Sequence, residues 1–206
     1  TRANGFLFRP GGYMVDPDLG GISTAAGGDV TLVAGQDVVS LLPSSGGLQG
    51  DGGSGAFGSA PGNVTIRAGR DVQGHYVLRH GTGTVVAGRD AGTPSRLAAL
   101  SVVDGGWTVT AGRDILIQEA RNPNGVFNNL GSSASAWRHR FDYAADAYVL
   151  LTAVNSVQLR GTGLPRNNDT FEQGLPPVYP GRLEISAGAG GVVLGRDVIL
   201  YPSPAG

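Results

Sequence analysis

The sequence predicts an all-β chain, a right-handed parallel β-helix (β-solenoid) with coils of about 20 residues and loop insertions. Three observations predict it. The phrase Ala-Gly-Arg-Asp or a near copy recurs five times, ending at Asp37, Asp71, Asp90, Asp114 and Asp197. The residues before Ala-Gly alternate apolar and polar with period two, and a second short apolar run follows the phrase. A catalytic motif is needed once, so a phrase that recurs reads as a building element.

The spacing sets the period. Asp71 and Asp90 are 19 residues apart, and Asp90 and Asp114 are 24 apart. The longer gap from Asp37 to Asp71 contains SSGGLQGDGGSGAFGSAPG (44–62), read as a flexible insertion. Between Asp114 and Asp197 lies a degenerate copy, in which Ala153-Val154-Asn155-Ser156 replaces Ala-Gly-Arg-Asp. Without the insertions roughly seven coils remain, a rod of about 30 Å.

Each strand follows from its alternation. Val30, Leu32 and Ala34 share one face, with Thr31 and Val33 opposite. Val64, Ile66 and Ala68 repeat this, as do Trp107, Val109 and Ala111, then Leu183, Ile185 and Ala187. The second strands are Val38-Val39, Ile115-Leu116-Ile117 and Val198-Ile199-Leu200. The phrase therefore sits at a corner. Its Ala is the last inward residue, and Gly35, Gly69, Gly88, Gly112 and Gly195 permit a bend that a Cβ obstructs and that suits positive φ. The Arg and Asp are expected in solvent or paired along the surface, with Asp bonding nearby amides. The Ala- and aromatic-rich stretch 133–151 suits a short helix or extended chain equally, and 163–181 reads as a loop. All of 1–206 is expected to be one β-helical unit, with irregular insertions at 44–62, 121–147 and 164–181.

Composition narrows the function. There are 36 Gly, no Cys, and fifteen basic residues that are all Arg, with a formal net charge of −1. That balance offers no electrostatic footprint for nucleic acid or an anionic membrane. The lack of Cys excludes disulfides, thiolate metal sites and a Cys nucleophile. No apolar run reaches the length of a membrane-spanning helix. The chain opens at TRANGFLFRPGG without Met and closes at YPSPAG, which reads as a segment of something longer.

The repeated AGRDV and AGRDI phrases, the strands GGDVTLVAG and GNVTIRAG, and the ending RLEISAGAGGVVLGRDVILYPSPAG resemble filamentous haemagglutinin-like exoproteins of bacterial two-partner secretion. The resemblance covers most of 22–120 and 148–206. It implies a secreted or cell-surface adhesin, or a stalk that presents a toxin tip in contact-dependent inhibition. It also implies export of the parent protein through an outer-membrane transporter, and a host-cell or neighbouring-cell receptor or glycan as partner. The family's secretion domain lies at the mature N-terminus and carries Asn-Pro-Asn-Gly. Here NPNG stands at 122–125, after several repeats, where it also reads as a turn.

Chemistry-bearing constellations are few. A column of Asp71, Asp90 and Asp114 approaches the carboxylate spacing of a glycosidase, ~5–9.5 Å, but each follows an Arg and reads as a surface charge ladder. GDGGSGAFGS (50–59) is similar to calcium β-roll repeats yet has no Asp after Asp51. His75 and His80 fall on opposite faces of a strand, without a nearby carboxylate or Cys, and His139 stands apart. No Ser has nucleophile-elbow context, and no cofactor is expected. AWRHRFDY (136–143) concentrates aromatic and basic residues, and Trp137, Arg138 and Arg140 form the candidate partner contact. The alternative is that the aromatics flank the coil stack while the arginines reach solvent.

Three functions compete: a structural and adhesive module, a polysaccharide-binding or -cleaving β-helix, and a secretion-targeting domain. Only three Glu occur, which disfavours an acidic catalytic groove. A monomer is expected whose open edges permit end-to-end association.

Overall fold

The computed structural model describes residues 2–3, 6–9, 12–15, 21–24, 27–40, 53–56, 60–121, 143–161 and 178–201. Among them there is no helix, and so none long and apolar enough to cross a membrane. The strands are β1 (Arg2–Ala3), β2 (Phe6–Arg9), β3 (Gly12–Val15), β4 (Ser23–Thr24), β5 (Val30–Ala34), β6 (Val38–Val39), β7 (Ser54–Ala56), β8 (Val64–Ala68), β9 (Val72–Leu78) and β10 (His80–Ala87). They continue as β11 (Ala98–Ser101), β12 (Asp104–Ala111), β13 (Asp114–Arg121), β14 (Tyr148–Ala153), β15 (Ser156–Leu159), β16 (Val178–Tyr179), β17 (Arg182–Ala187), β18 (Gly191–Leu194) and β19 (Ile199–Leu200).

Two parallel sheets carry the fold. The first orders its strands β17-β14-β12-β10-β8-β5, and the second β18-β15-β13-β11-β9-β7-β4, with β6 also on β9. Apart from β6 and β7, which follow one another on the second sheet, and β16 and β19, which pair with each other, strands β4 to β18 alternate between the two sheets, an arrangement consistent with a β-solenoid. Strands β1 to β3 form a separate antiparallel sheet.

Register explains why the sequence repeats. In the first sheet Ala34, Ala68, Ala87, Ala111, Ala153 and Ala187 are successive partners. Two residues earlier, Leu32, Ile66, Val85, Val109, Leu151 and Ile185 form a second column. Both columns point inward, because side chains alternate across a strand. The core is their contact with the inward column of the second sheet, which includes Val72, Ala91, Ile115 and Val157. Trp107 is the largest buried side chain, and its indole N–H donates to Ser101 O at 2.8 Å. Gly83 makes room for that ring: a Cβ there would lie 2.2 Å from it.

Several expectations need correction. The 44–62 insertion holds a strand, since Ser54–Ala56 pairs with β4 and β9. Arg121 belongs to β13 and Val178–Tyr179 pairs with Ile199–Leu200; of the two conformations that suited 133–151 equally, 148–151 takes the extended one. Among the described residues the first sheet has six strands and the second sheet's main order seven. The copy at 192–200 is out of phase: Val192–Leu194 pairs with β15 in the second sheet, and Gly195 N–H donates to Leu159 O. Gly195 and Asp197 therefore lie at the far end of a second-sheet strand. The corner of that coil is Ala187-Gly188-Ala189-Gly190, whose Gly190 N–H donates to Asn155 O at 3.0 Å. The inward triplet Leu183-Ile185-Ala187 sets the register there, and the Gly-Arg-Asp letters do not.

Candidate functional site

Polar side chains of successive corners form a column along the stack. Backbone amides continue the ladder around it: Arg70 N–H donates to Gln36 O, Arg89 to Arg70 O, Arg113 to Arg89 O and Asn155 to Arg113 O. Fixed in this way, the side chains of one coil stand directly over those of the coil before.

Each Arg pairs with the Asp of the preceding coil. Arg70 donates from Nε to Asp37 Oδ1 at 2.7 Å, Arg89 to Asp71 Oδ1 at 2.8 Å and Arg113 to Asp90 Oδ1 at 2.9 Å. In every case Nη2 donates to the other oxygen, making a two-pronged bond. The same Oδ1 accepts the backbone N–H of the next Asp, at 3.0 Å for Asp71, 3.3 Å for Asp90 and 3.2 Å for Asp114. Each carboxylate thus joins its coil to the next by three hydrogen bonds.

Of the two expected arrangements, solvent or pairing along the stack, the structure shows the pairing, with Asp bonding backbone amides as expected. Asp71 and Asp90 are each 2% exposed, while the guanidiniums above them are about half exposed. The planar Arg lies across the carboxylate and shields it. The Arg70 hydrogen bonds hold the Asp37 carboxyl down at about 2. Arg89 likewise lowers Asp71. At Asp114 burial pushes upward, but the Ser156 hydroxyl, the Asn155 amide and the Ser156 N–H outweigh it and the net shift is down.

The ladder starts and stops cleanly. Gln36 occupies the Arg position of the first coil, beneath which no described Asp lies. At the other end Asn155 Nδ2, Ser156 N–H and Ser156 Oγ all reach Asp114 Oδ1, at 2.7, 3.0 and 2.6 Å. Ser156 presents no carboxylate onward, and the next coil has Ala189 and Gly190 instead of a cation. The sequence reading missed this offset pairing. Its signal was present in the order Gln-Asp, Arg-Asp, Arg-Asp, Arg-Asp, Asn-Ser.

The corner glycines serve close approach. A Cβ on Gly69, Gly88 or Gly112 would lie 2.2 Å from the carbonyl oxygen of the preceding corner glycine, and none of the three has positive φ. The expected left-handed bend is thus replaced by a steric requirement along the stack. Val154 takes the same place one coil later, and its ladder bond to Ala111 O is longer, 3.2 Å against 2.9–3.0 Å at the glycines.

Elsewhere the fold pairs polar residues that sequence spacing kept apart. His75 Nε2 lies 2.7 Å from Ser101 Oγ, both fully buried. Ala99 is the strand partner of both His75 and Glu119, and Ser101 of Arg121; Glu119 and Arg121 form a buried ion pair. These residues line the outward face of the second sheet, yet all are buried. His80 opens β10, a different sheet from His75, with Nδ1 3.5 Å from Asp104. Among the described residues no group of three His, Asp or Glu is placed to hold a metal ion.

Trp137, Arg138, Arg140 and His139 lie outside the described residues, as do NPNG 122–125, Asp51 and most of 163–181. Of the aromatic–basic stretch only Tyr143 is described. It is buried in the core, donates to Val178 O at 2.7 Å and meets Tyr201 edge-on.

No protein-family model matches the chain, no curated protein matches its sequence and no solved structure matches its fold.

Proposed function

We propose that the chain is a structural and adhesive segment of a large secreted bacterial surface exoprotein of the filamentous haemagglutinin-like kind, a right-handed solenoid of about 20-residue coils without catalytic activity. One observation carries this reading: the recurring charged residues are spent on joining coil to coil. Each buried carboxylate of the column accepts an Arg fork and a main-chain N–H, so the column's own aspartates do not form a free acid–base pair of the kind a polysaccharide hydrolase needs. What recurs therefore serves length and rigidity. Partner contact falls to what does not recur, the AWRHRFDY stretch with Trp137, Arg138 and Arg140. The parent protein would be exported by an outer-membrane two-partner transporter, and a cell-surface receptor or glycan would be met outside the cell.

Binding of the folded chain to a glycan array and to host and bacterial cells, alongside a Trp137→Ala/Arg138→Ala/Arg140→Ala variant, tests it. Selective binding lost in the variant is expected. Release of reducing ends from a polysaccharide by the folded chain would overturn the non-catalytic reading.

A further inference from the structure

The outward face of the first sheet carries a lattice of hydroxyls in the middle of the stack. Side chains that alternate with the core columns point out of the sheet there. Thr65, Thr84 and Thr108 are successive partners, and beside them run Arg67, Val86 and Thr110. Neighbours lie about 4.8 Å apart along the stack and about 7 Å apart along a strand. Arg67 and Thr110 are exposed, and the other four are half-buried.

Two features fit this face to a ligand. First, its hydroxyls are unspent. Among the described residues those of Thr65, Thr84, Thr108 and Thr110 meet no protein partner, whereas those of Thr82, Ser101 and Ser156 are each hydrogen-bonded. A free hydroxyl can donate once and accept twice. Second, Arg67 breaks a habit of the chain. Arg70, Arg89, Arg113 and Arg182 each hold a carboxylate. Among the described residues Arg67 holds none, and in its column it stands between Val33 and Val86. It is also the member of that column that does not recur. Glu184, on the same face, is taken by Arg182 at 2.7 Å.

An unopposed cation among free hydroxyls and methyl groups selects its occupant. Arg forks onto a single carboxylate. Thr hydroxyls exchange hydrogen bonds with other hydroxyls, and the Thr and Val methyls pack on the apolar edge of a sugar ring. The patch has none of the aromatic anchors of a protein interface, and one cation is too few for nucleic acid or a densely charged polymer. We infer that this face binds a sparsely charged acidic polysaccharide laid across the coils, with a uronate carboxylate on Arg67 and sugar hydroxyls on Thr65, Thr84, Thr108 and Thr110. The contact is separate from Trp137, Arg138 and Arg140 and does not rest on them.

Calorimetric titration of the full chain with hyaluronan, a polymer of alternating uronate and neutral sugars, tests it, with neutral dextran and dextran sulfate as comparators. Hyaluronan is expected to bind and dextran not to. Arg67→Ala should weaken binding roughly tenfold or more, and Arg67→Lys less. Thr84→Val keeps the shape, removes the hydroxyl and should weaken binding about two- to tenfold. These side chains lie outside the core, so each variant is expected to keep the parent melting temperature. The Trp137→Ala/Arg138→Ala/Arg140→Ala variant is expected to bind hyaluronan as the parent does. No binding of hyaluronan overturns the inference. So does equal binding of dextran, a preference for dextran sulfate, or binding that Arg67→Ala leaves unchanged. Loss in the triple variant alone would also overturn it while leaving the adhesive reading in place.

Discussion

Arg89 Nε lies 3.7 Å from Asp90, its neighbour in sequence, but 2.8 Å from Asp71 in the preceding coil. In the pairs of Arg89 with Asp71 and Arg113 with Asp90 the cation is the exposed member and the anion the buried one. Truncating the exposed partner therefore strands a charge in a dry place, while neutralising the buried partner releases an Arg to water. Arg113→Ala is expected to lower the melting temperature more than Asp90→Asn, and the double variant less than the sum of the two. Thermal melts of the three proteins check this; equal losses would mean that the column is a solvated surface feature.

Acid should loosen the column. Asp37, Asp71 and Asp114 are held below their ordinary value by the Arg, Ser and Asn groups that grip them. An unfolded aspartate titrates near ~3.9. The native state thus binds fewer protons than the unfolded one over the interval beneath that value. The stability these groups contribute is complete above about pH 4–5 and is lost as pH falls toward 2. Melting temperature is expected to be level from about pH 8 to 5 and to drop below about 4, with a shallower drop in Asp37→Asn. A level profile down to pH 2 would sink this account.

Gly69 and Gly35 stand at equivalent corners with different neighbours. A Cβ at Gly69 meets a carbonyl oxygen at 2.2 Å, and one at Gly35 meets nothing. Gly69→Ala should cost about 1–3 kcal/mol, the usual range for overpacking, and Gly35→Ala close to nothing in the monomer. The stretched bond at Val154 shows that the stack gives way by a few tenths of an ångström, which bounds the cost. Denaturant melts at a concentration that keeps the chain monomeric separate the two.

Ile66 is fully buried between Leu32 and Val85 in the inward column. Ile66→Asp places a carboxylate where nothing can pair with it, a cost that exceeds the whole stability of many domains. Loss of the cooperative transition is expected in circular dichroism. A melting curve like the parent's would contradict the facing assigned to β8.

Ser101 and His75 have the contact of a nucleophile and its base, but both are sealed from solvent. A fluorophosphonate probe is expected to leave Ser101 unlabelled in the folded chain. Stoichiometric labelling abolished by Ser101→Ala would make this pair a reactive site and revive the enzymatic alternative.

Period-two alternation needs only the local chain, because a strand shows one face to the core and one to solvent whatever its neighbours are. For that reason the facing of Val30-Leu32-Ala34, Val64-Ile66-Ala68 and Trp107-Val109-Ala111, the strand–corner–strand unit and the all-β class could all be read from the letters. Which coil an Arg reaches could not. Within one phrase Arg89 and Asp90 are adjacent, and only the stacking of coils about 4.8 Å apart brings Arg89 nearer to Asp71. The same stacking turned the corner glycines from a matter of φ into one of approach, and it moved Gly195 and Asp197 out of the column despite their matching letters. It also brought His75 to Ser101 across 26 residues. Local sequence determined the shape of each coil through backbone sterics and side-chain alternation. The tertiary stack decided every polar partnership, because a hydrogen bond is set by distance in space, and here the near neighbours are one coil away.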